Sequence, residues 1–546
     1  MQGEVTDAAG ERKKYSRDTS LFERTPAIVC YPKDANDVAA LVRTVREHKD
    51  AGQDVSVTAR AAGTDMSGGP LTDSVVAVFT TYMNAIGAVV AEGIHGYAIT
   101  EPGAYYRDFE KATHAKDLIL PSYPASKRIA AMGGIVANNS GGERTLKYGK
   151  TEDYVESLEV VLSDGSETTF RALSPSELEM KKAKQDFEGE IYRKMDELLR
   201  DNANTIVAHK PKVSKNSAGY ALWDVRTPDG GMNLAKLICG SQGTLALWTR
   251  ARLRLVKPKE HRAMLVIFLT DLAVLPEVVQ RVLPFHPESF ESYDDKTFTL
   301  ATRFLWDMLK QLGLAHAIKL GIEFLPEVEA VLTGGVPKLI LMAEFAEDTI
   351  EEADSQAAAA RDALKDLGLK TQLEKNEEES EKYWIVRRES FALLRKNLHG
   401  YYASPFIDDF VVPPETYPTF LPELNALLDE YKDRMIYTVA GHIGNGNFHV
   451  IPLMDLHKPE SRATILELAP RVYDLVIRYG GTTTGEHNDG IIRTPYLPRL
   501  FGADMVRLFA ETKKIFDPAN IFNPGKKVGG TFSDIEKSLI QESGTH

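Results

Sequence analysis

"SVTARAAGTDMSGG", residues 56–69, follows a β-type run and ends in alanines, serines and glycines. Residues this small let backbone N–H groups approach an anion closely. The stretch is neither a Walker A loop nor the G-x-G-x-x-G turn of a dinucleotide Rossmann unit. Alone, it fits a phosphate-bearing ligand and an ordinary strand connection equally well. A second stretch weighs the balance: "LPSYPASKRIAAMGGIVANNSGGERTLKYG", residues 120–149, pairs Gly133-Gly134 with Asn138, Asn139, Ser140, Gly141 and Gly142. So few core-forming side chains make a long loop, and long loops in compact domains are usually functional. Two anion-binding candidates in one domain point to a diphosphate, hence a large nucleotide cofactor.

Around these loops, from Thr25 to about Val256, short β-type runs such as "AIVCYP", "DVSVTAR" and "SLEVVLSDG" alternate with helical ones. That alternation indicates an α+β or α/β domain. Beyond Pro258 the rhythm changes to strand "AMLVIFL", helix "LAVLPEVVQRVL", strand "ESFESYD", strand "KLILMAEF", helix "DTIEEADSQAAAARDALKDLG" and a strand near "KTQLEK". This βαββαβ order suggests an antiparallel sheet covered by helices on one face. No internal repeat or low-complexity linker separates the two parts, so they are expected to pack tightly. The acidic run "EKNEEESEK" reads as a solvated helix start.

The 546 residues suggest about two to four domains. A net charge of -13 argues against general nucleic-acid or anionic-membrane binding. Two cysteines, Cys30 and Cys239, supply no disulfide framework, zinc ribbon or four-cysteine cluster, which fits a reducing, cytoplasmic setting. The N-terminus shows no apolar core of a secretory or transit signal. The most apolar window, residues 263–275, is interrupted by Asp271 and too short to span a bilayer.

"GHIGNGNFHV", residues 441–450, reads as a β-hairpin, because β-branched and aromatic runs flank Asn445-Gly446, the dipeptide type I′ turns prefer. With those two as the loop, Ile443 faces Phe448 and His442 faces His449. Opposed side chains share a face with Cβ atoms roughly 4.5–5.5 Å apart, close enough for two imidazoles to hold one metal ion. Histidines that merely pack or bind water are the alternative, and no third ligand lies nearby.

The two glycine-rich loops, "GSQGTLALWT" (240–249), "GHIGNGNFH", "GEHNDG" and "FDPANIFNPGK" occur in this order along the chain. In that order they resemble the FAD-linked oxidases related to vanillyl-alcohol oxidase and p-cresol methylhydroxylase. Within them the chain is similar to the branch of D-lactate dehydrogenase, glycolate oxidase flavoprotein subunit and D-2-hydroxyglutarate dehydrogenase. The resemblance runs from about Thr25 to Lys527. It implies an α+β fold: a two-subdomain FAD-binding domain of the p-cresol methylhydroxylase type over 1–257, and a substrate (cap) domain with the helix-covered antiparallel sheet and the hairpin over 258–485. A C-terminal segment, 486–546, returns to the FAD-binding domain.

The resemblance also implies the site. The first loop, through Arg60, Ala61, Ala62, Gly63, Thr64, Asp65, Ser67 and Gly68, wraps the FAD pyrophosphate. Further cofactor contacts fall to Ser126, Gly133, Asn138, Asn139, Gly142, Tyr154 and Gly243, and Asn523 approaches the flavin ring. No histidine occupies the first loop, so the FAD is non-covalent. Ala61-Ala62-Gly63-Thr64 departs from the usual Gly-Gly-Gly-Thr, and "GSQGTLA" from "GSEGTLG". Glu486 completes a divalent metal site with His442 and His449, for which Zn²⁺ is the first choice and Mn²⁺ or Fe²⁺ the alternatives. His487 is the base, and Arg387, favoured over Arg388, binds the substrate carboxylate.

The reaction implied is oxidation of a D-2-hydroxy acid, with hydride passing from C2 to flavin N5. Where the D-2-hydroxyglutarate branch has a lysine and an asparagine that hold a second carboxylate, this chain has Ile407 and Ile451. A D-lactate-like acid is therefore the expected substrate. Electrons would leave to a quinone, a cytochrome, an electron-transfer flavoprotein or a partner subunit, the first of these consistent with a peripheral membrane location, and a homodimer is one candidate assembly. The competing classes are a redox-neutral transferase resembling alkylglycerone-phosphate synthase and a flavin-free zinc hydrolase.

Overall fold

Valine- and isoleucine-rich runs near the N-terminus form parallel strands because a helix links them: Ile28–Tyr31 and Val57–Arg60 both run parallel to Val75–Val78. The helix Ala35–Asp50 makes the crossover that a parallel pair requires. It is capped by Asp34, whose carboxylate accepts the Asp37 N–H at 2.9 Å, and it buries Val38, Leu41, Val42 and Val45. Strand Val75–Val78 is buried on both faces, with Val75 and Ala77 against this helix and Val76 and Val78 against Val29, Tyr15 and Tyr31. The first glycine-rich loop leaves the C-terminal end of Val57–Arg60, where parallel sheets habitually place ligands. The computed structural model describes residues 1–295, 337–376, 379–387 and 402–540.

A second, antiparallel sheet runs in the order Ile86–Glu92, His95–Thr100, Leu247–Val256, Val155–Val161, Glu167–Leu173, Met232–Asn233. Helix Phe187–Asp201 packs on it through Ile191, Tyr192, Met195, Leu198 and Leu199, and so does the C-terminal helix Leu497–Phe516 through Phe501, Leu508, Phe509 and Phe516. After that helix, the Val57 N–H donates to the Ile521 carbonyl at 2.8 Å and the Asn523 N–H to the Val57 carbonyl at 3.0 Å. The chain end is thereby stitched to the strand that launches the first loop.

The third sheet is antiparallel throughout, in the order Lys370–Glu374, His261–Leu269, Leu339–Glu347, Ser289–Asp294, Ile436–His442, Asn447–Met454, Tyr402–Ala403, with Phe410–Val411 also on Asn447–Met454. With helices Leu275–Val282 and Ile350–Asp362 it follows the expected βαββαβ order. Both helices bury one face, against Ala263, Leu265, Ile267 and Leu269. The opposite face is covered too: Tyr383, Trp384 and Val386 lie on Met264, Val266, Phe268 and Met342. The cause is legible in "AMLVIFL", which is apolar at every position and must bury both faces.

The hairpin corrects the expected register. His442 pairs with Asn447, Gly441 with Phe448 and Ala440 with His449, so residues 443–446 form a four-residue loop rather than the two-residue Asn445-Gly446 turn. A short 3₁₀ turn, Ile443–Asn445, is closed by Gly446 at φ +74°. Ser214 fixes it from outside, donating to the Asn445 carbonyl at 2.8 Å. The slip is two residues, and side chains alternate with period two, so both histidines keep the same face. They become diagonal rather than direct neighbours, with ring centroids 5.1 Å apart.

Candidate functional site

One cavity of about 1430 Å³ lies between the glycine-rich loops and the hairpin face of the third sheet. It exceeds the roughly 300–1,000 Å³ typical of small-molecule pockets, leaving room for a dinucleotide and a small acid together. On the loop side it is lined by Arg60, Ala61, Ala62, Gly63, Thr64 and Asp65, by Ser126, Gly133 and Asn138, and by Gly243. Asp65 braces the first loop, accepting from the Ser67 and Gly69 N–H groups and, at 2.8 Å, from the Asn138 amide of the second. Gly63 takes φ +72°, where an added Cβ would fall 2.3 Å from the Arg60 guanidinium. Gly134 also lines the cavity, and a Cβ there would meet nothing within 4 Å beyond its chain neighbours and its own helix. The walls thus form a cradle of backbone and small side chains, which fits a flavin dinucleotide.

Five expected cofactor residues support this wall from behind instead of lining it. Ser67 donates to Asp65 at 2.8 Å, Gly68 is backed by Phe22 and Ile491, and the Asn139 amide oxygen accepts the Glu152 N–H at 2.9 Å. Gly142 sits against the Tyr123 carbonyl, and Tyr154 is a core residue whose hydroxyl donates to the Tyr148 carbonyl at 2.7 Å. Asn523 is likewise off the cavity lining. Its amide is consumed by the Gly69 carbonyl at 3.0 Å and the Gln242 carbonyl at 2.8 Å, joining the chain end to two cofactor loops.

At the opposite wall His442, His449 and Glu486 bring one ligand atom each within 4.8 Å of one another. Each histidine is aimed by a buried carboxylate the sequence reading missed. Glu291 lies 2.6 Å from His442 Nδ1, and Asp408 lies 3.0 Å from His449 Nδ1, leaving both Nε2 atoms to the site. Such carboxylate–imidazole pairs are what orients metal ligands in general. His442 Nε2 lies 3.3 Å from Glu486 Oε1, and the same oxygen accepts from the fully buried Lys215 ammonium. Two imidazoles and a carboxylate, backed by Glu291 and Asp408, fit a divalent cation.

Electrostatics concentrate here. Burial pushes Glu486 up, but Lys215 and His442 outweigh it and hold the carboxyl well below its usual range. Asp408, also opposed by burial, is held below the carboxylate range by His487 and His449. His487 lies beside the trio, stacked on His449 with ring centroids 5.2 Å apart. Burial lowers its basicity, yet Asp409 and Asp408 outweigh this and raise it to about 9. A divalent cation among these side chains would push the other way, since like charge disfavours the protonated ring.

Asp409 secures the backbone beneath, accepting the Glu486 N–H at 3.0 Å, the His487 N–H at 2.7 Å and the Thr484 hydroxyl at 2.5 Å. Lys150 donates to the Gly485 carbonyl at 2.8 Å from the FAD-loop side. Arg387 reaches Glu291 Oε2 at 3.2 Å while its buried Nε has no partner among the described residues, a donor left for an anion in the cavity. Arg388 lies outside the described residues. Ile451 lines the cavity, whereas Ile407 is packed in the apolar core.

Residues 26–171 match an FAD binding domain, and residues 258–527 match the C-terminal domain of FAD linked oxidases. The chain belongs to the FAD-linked oxidases. It is 27% identical over 534 residues to a D-2-hydroxyglutarate dehydrogenase of Pseudomonas putida, covering 96% of this chain and 50% of that one. It therefore spans about half the length of such relatives. A D-lactate dehydrogenase of Archaeoglobus fulgidus is 25% identical, covering 94% and 96% respectively. Among solved structures, p-cresol methylhydroxylase with substrate bound superposes with TM-score 0.66 at 17% identity, covering 97% and 94%. An alkyldihydroxyacetonephosphate synthase gives 0.64 at 15%, covering 95% and 83%. Likeness at that identity speaks to the fold. Among the described residues, no helix is long and apolar enough to cross a membrane.

Proposed function

We propose that this protein oxidises a D-2-hydroxy monocarboxylic acid, D-lactate being the simplest, to the 2-oxo acid. The observation that carries the reading is that His442, His449, Glu486, His487 and Arg387 line one cavity together with the glycine-rich cradle. When bound, FAD supplies the acceptor for the C2 hydride at N5, and a divalent ion, Zn²⁺ before Mn²⁺ or Fe²⁺, supplies charge that acidifies the 2-hydroxyl. Arg387 pairs with the substrate carboxylate through its free Nε and fixes the acid's orientation. His487 takes the hydroxyl proton at Nε2, since its Nδ1 is engaged by Asp408 at 2.7 Å. The buried carboxylates stabilise the imidazolium that results. Ile451 stands where a second carboxylate would need a polar partner, which favours a monocarboxylic acid.

The imidazole–carboxylate trio supports oxidation over redox-neutral transfer. Reoxidation falls to a quinone, cytochrome, flavoprotein or partner subunit. Anaerobic mixing of the FAD-loaded protein with D- and L-2-hydroxy acids, with and without chelator, tests the reading. Bleaching of the flavin by D-acids, lost with chelator, is expected; a flavin that no hydroxy acid reduces overturns it.

A further inference from the structure

The cavity does not stop at the histidines. Along Asn447–Met454, Phe448 and Val450 enter the core, so His449 and Ile451 face the cavity by the period of the strand. On the partner strand, Ala440 opposite His449 and Thr438 opposite Ile451 continue the same wall. Ala403 and Tyr402 extend it, pairing with Leu453 and Met454. From His449 to that end is four to five residues of strand, roughly 15 Å. Trp384 forms the facing side, its indole fixed by donating Nε1–H to Glu344 at 3.2 Å. At the far end Tyr402 meets the exposed His457 edge-on, with centroids 5.8 Å apart. Among the described residues lining this cap-side wall, Arg387 is the one guanidinium or ammonium, and it stands at the histidine end.

The methyl of lactate would touch almost none of this corridor. We propose, resting on the reading above, that the preferred substrate is a 2-hydroxy acid whose side chain is apolar and about four or more carbons long, aliphatic or aromatic. Ile451 and Trp384 set that preference: the first supplies a branched apolar wall, the second a flat one. A charged terminus would be stranded there, facing alkyl and aromatic surface with no cation among the described residues to meet it.

The test is anaerobic flavin reduction by the FAD- and metal-loaded protein across D-lactate, D-2-hydroxybutanoate, D-2-hydroxyhexanoate, D-2-hydroxyoctanoate, D-3-phenyllactate and D-2-hydroxyglutarate. The second-order reduction constant should rise about fourfold per methylene from lactate to hexanoate, the worth of a buried CH₂. 2-Hydroxyglutarate should fall at least about a hundredfold below 2-hydroxyhexanoate. In Ile451→Asn and Trp384→Ala the slope with chain length should flatten. A flat or falling series in the wild-type protein, or preference for 2-hydroxyglutarate, overturns this inference and leaves hydroxy-acid oxidation standing. A flavin that none of the acids reduces overturns both.

Discussion

Asp408 holds His449 and His487 with one carboxylate: Oδ1 lies 3.0 Å from Nδ1 of the first and Oδ2 lies 2.7 Å from Nδ1 of the second. An ionised carboxylate only accepts, so both Nδ1 atoms carry the proton and both Nε2 atoms face the cavity. The proposed metal ligand and the proposed base are thus oriented by a single side chain.

Asp408→Asn should therefore damage two functions at once. Its amide can satisfy only one imidazole as acceptor, so bound metal and flavin reduction should each fall about 10–100-fold. Metal analysis of the purified variant, together with single-turnover reduction, checks this. Glu291→Gln, which touches His442 and Arg387 but not His487, should lower metal content and raise KM with a smaller effect on the metal-saturated kcat.

Arg387→Ala should raise the substrate KM by about thirtyfold or more, the lower end of the cost of breaking a buried charge-assisted pair. kcat should change less, because the residue positions the acid and takes no part in proton transfer. Steady-state kinetics with a fixed acceptor reads the split, and a kcat effect larger than the KM effect would contradict the assignment.

Gly134→Leu should abolish FAD retention while leaving the fold intact. Beyond its chain neighbours and its own helix, no atom lies within 4 Å of the Cβ position, and Gly134 lines the cavity, so the new side chain enters the space proposed for the cofactor. The FAD-to-protein absorbance ratio should collapse while the far-ultraviolet circular dichroism is unchanged.

Asp18 gives a pH prediction. It lines the cavity from the N-terminal segment, its Oδ2 is buried without a partner, and burial, reinforced by the charge of Asp65, raises it to about 7. An unfolded aspartate titrates near ~3.9, so between these values the folded chain holds the extra proton and stability falls as pH rises. Asp18→Asn keeps the acceptor that Ser20 uses and loses the titration. Thermal unfolding of FAD-depleted protein should show the variant gaining on wild type from pH 4 to pH 7, and parallel curves would contradict this.

Much of the fold was legible because its signals are local. The "AMLVIFL" strand, the helix after Asp34 and the flanks of the Asn-Gly dipeptide all announce themselves within ten residues. The hairpin register was not, because Ser214, more than two hundred residues away, fixes the loop. Of the site, the two histidines and their shared face followed from period-two geometry, while Glu486 and His487 came through family likeness. Asp408, Asp409, Glu291 and Lys215 were missed, although a signal existed. "PFIDDFVV" and "SFESYD" carry acidic residues inside otherwise strand-like, apolar or aromatic runs, and a carboxylate buried there needs a cationic or hydrogen-bonding partner. Asn523 lies off the cavity lining, its polar amide serving the Gly69 and Gln242 carbonyls.

The four-residue loop at 443–446 sets a parity rule on the hairpin. If the loop were held at four residues, one residue inserted there would slip the strand by one, turning His449 and Ile451 into the core and bringing Phe448 and Val450 to the cavity, erasing the proposed metal ligand and the corridor together. Two inserted residues would restore the face and shift the histidines only along it. At constant loop length, the face the histidines present thus depends on whether the change is odd or even, not on its size.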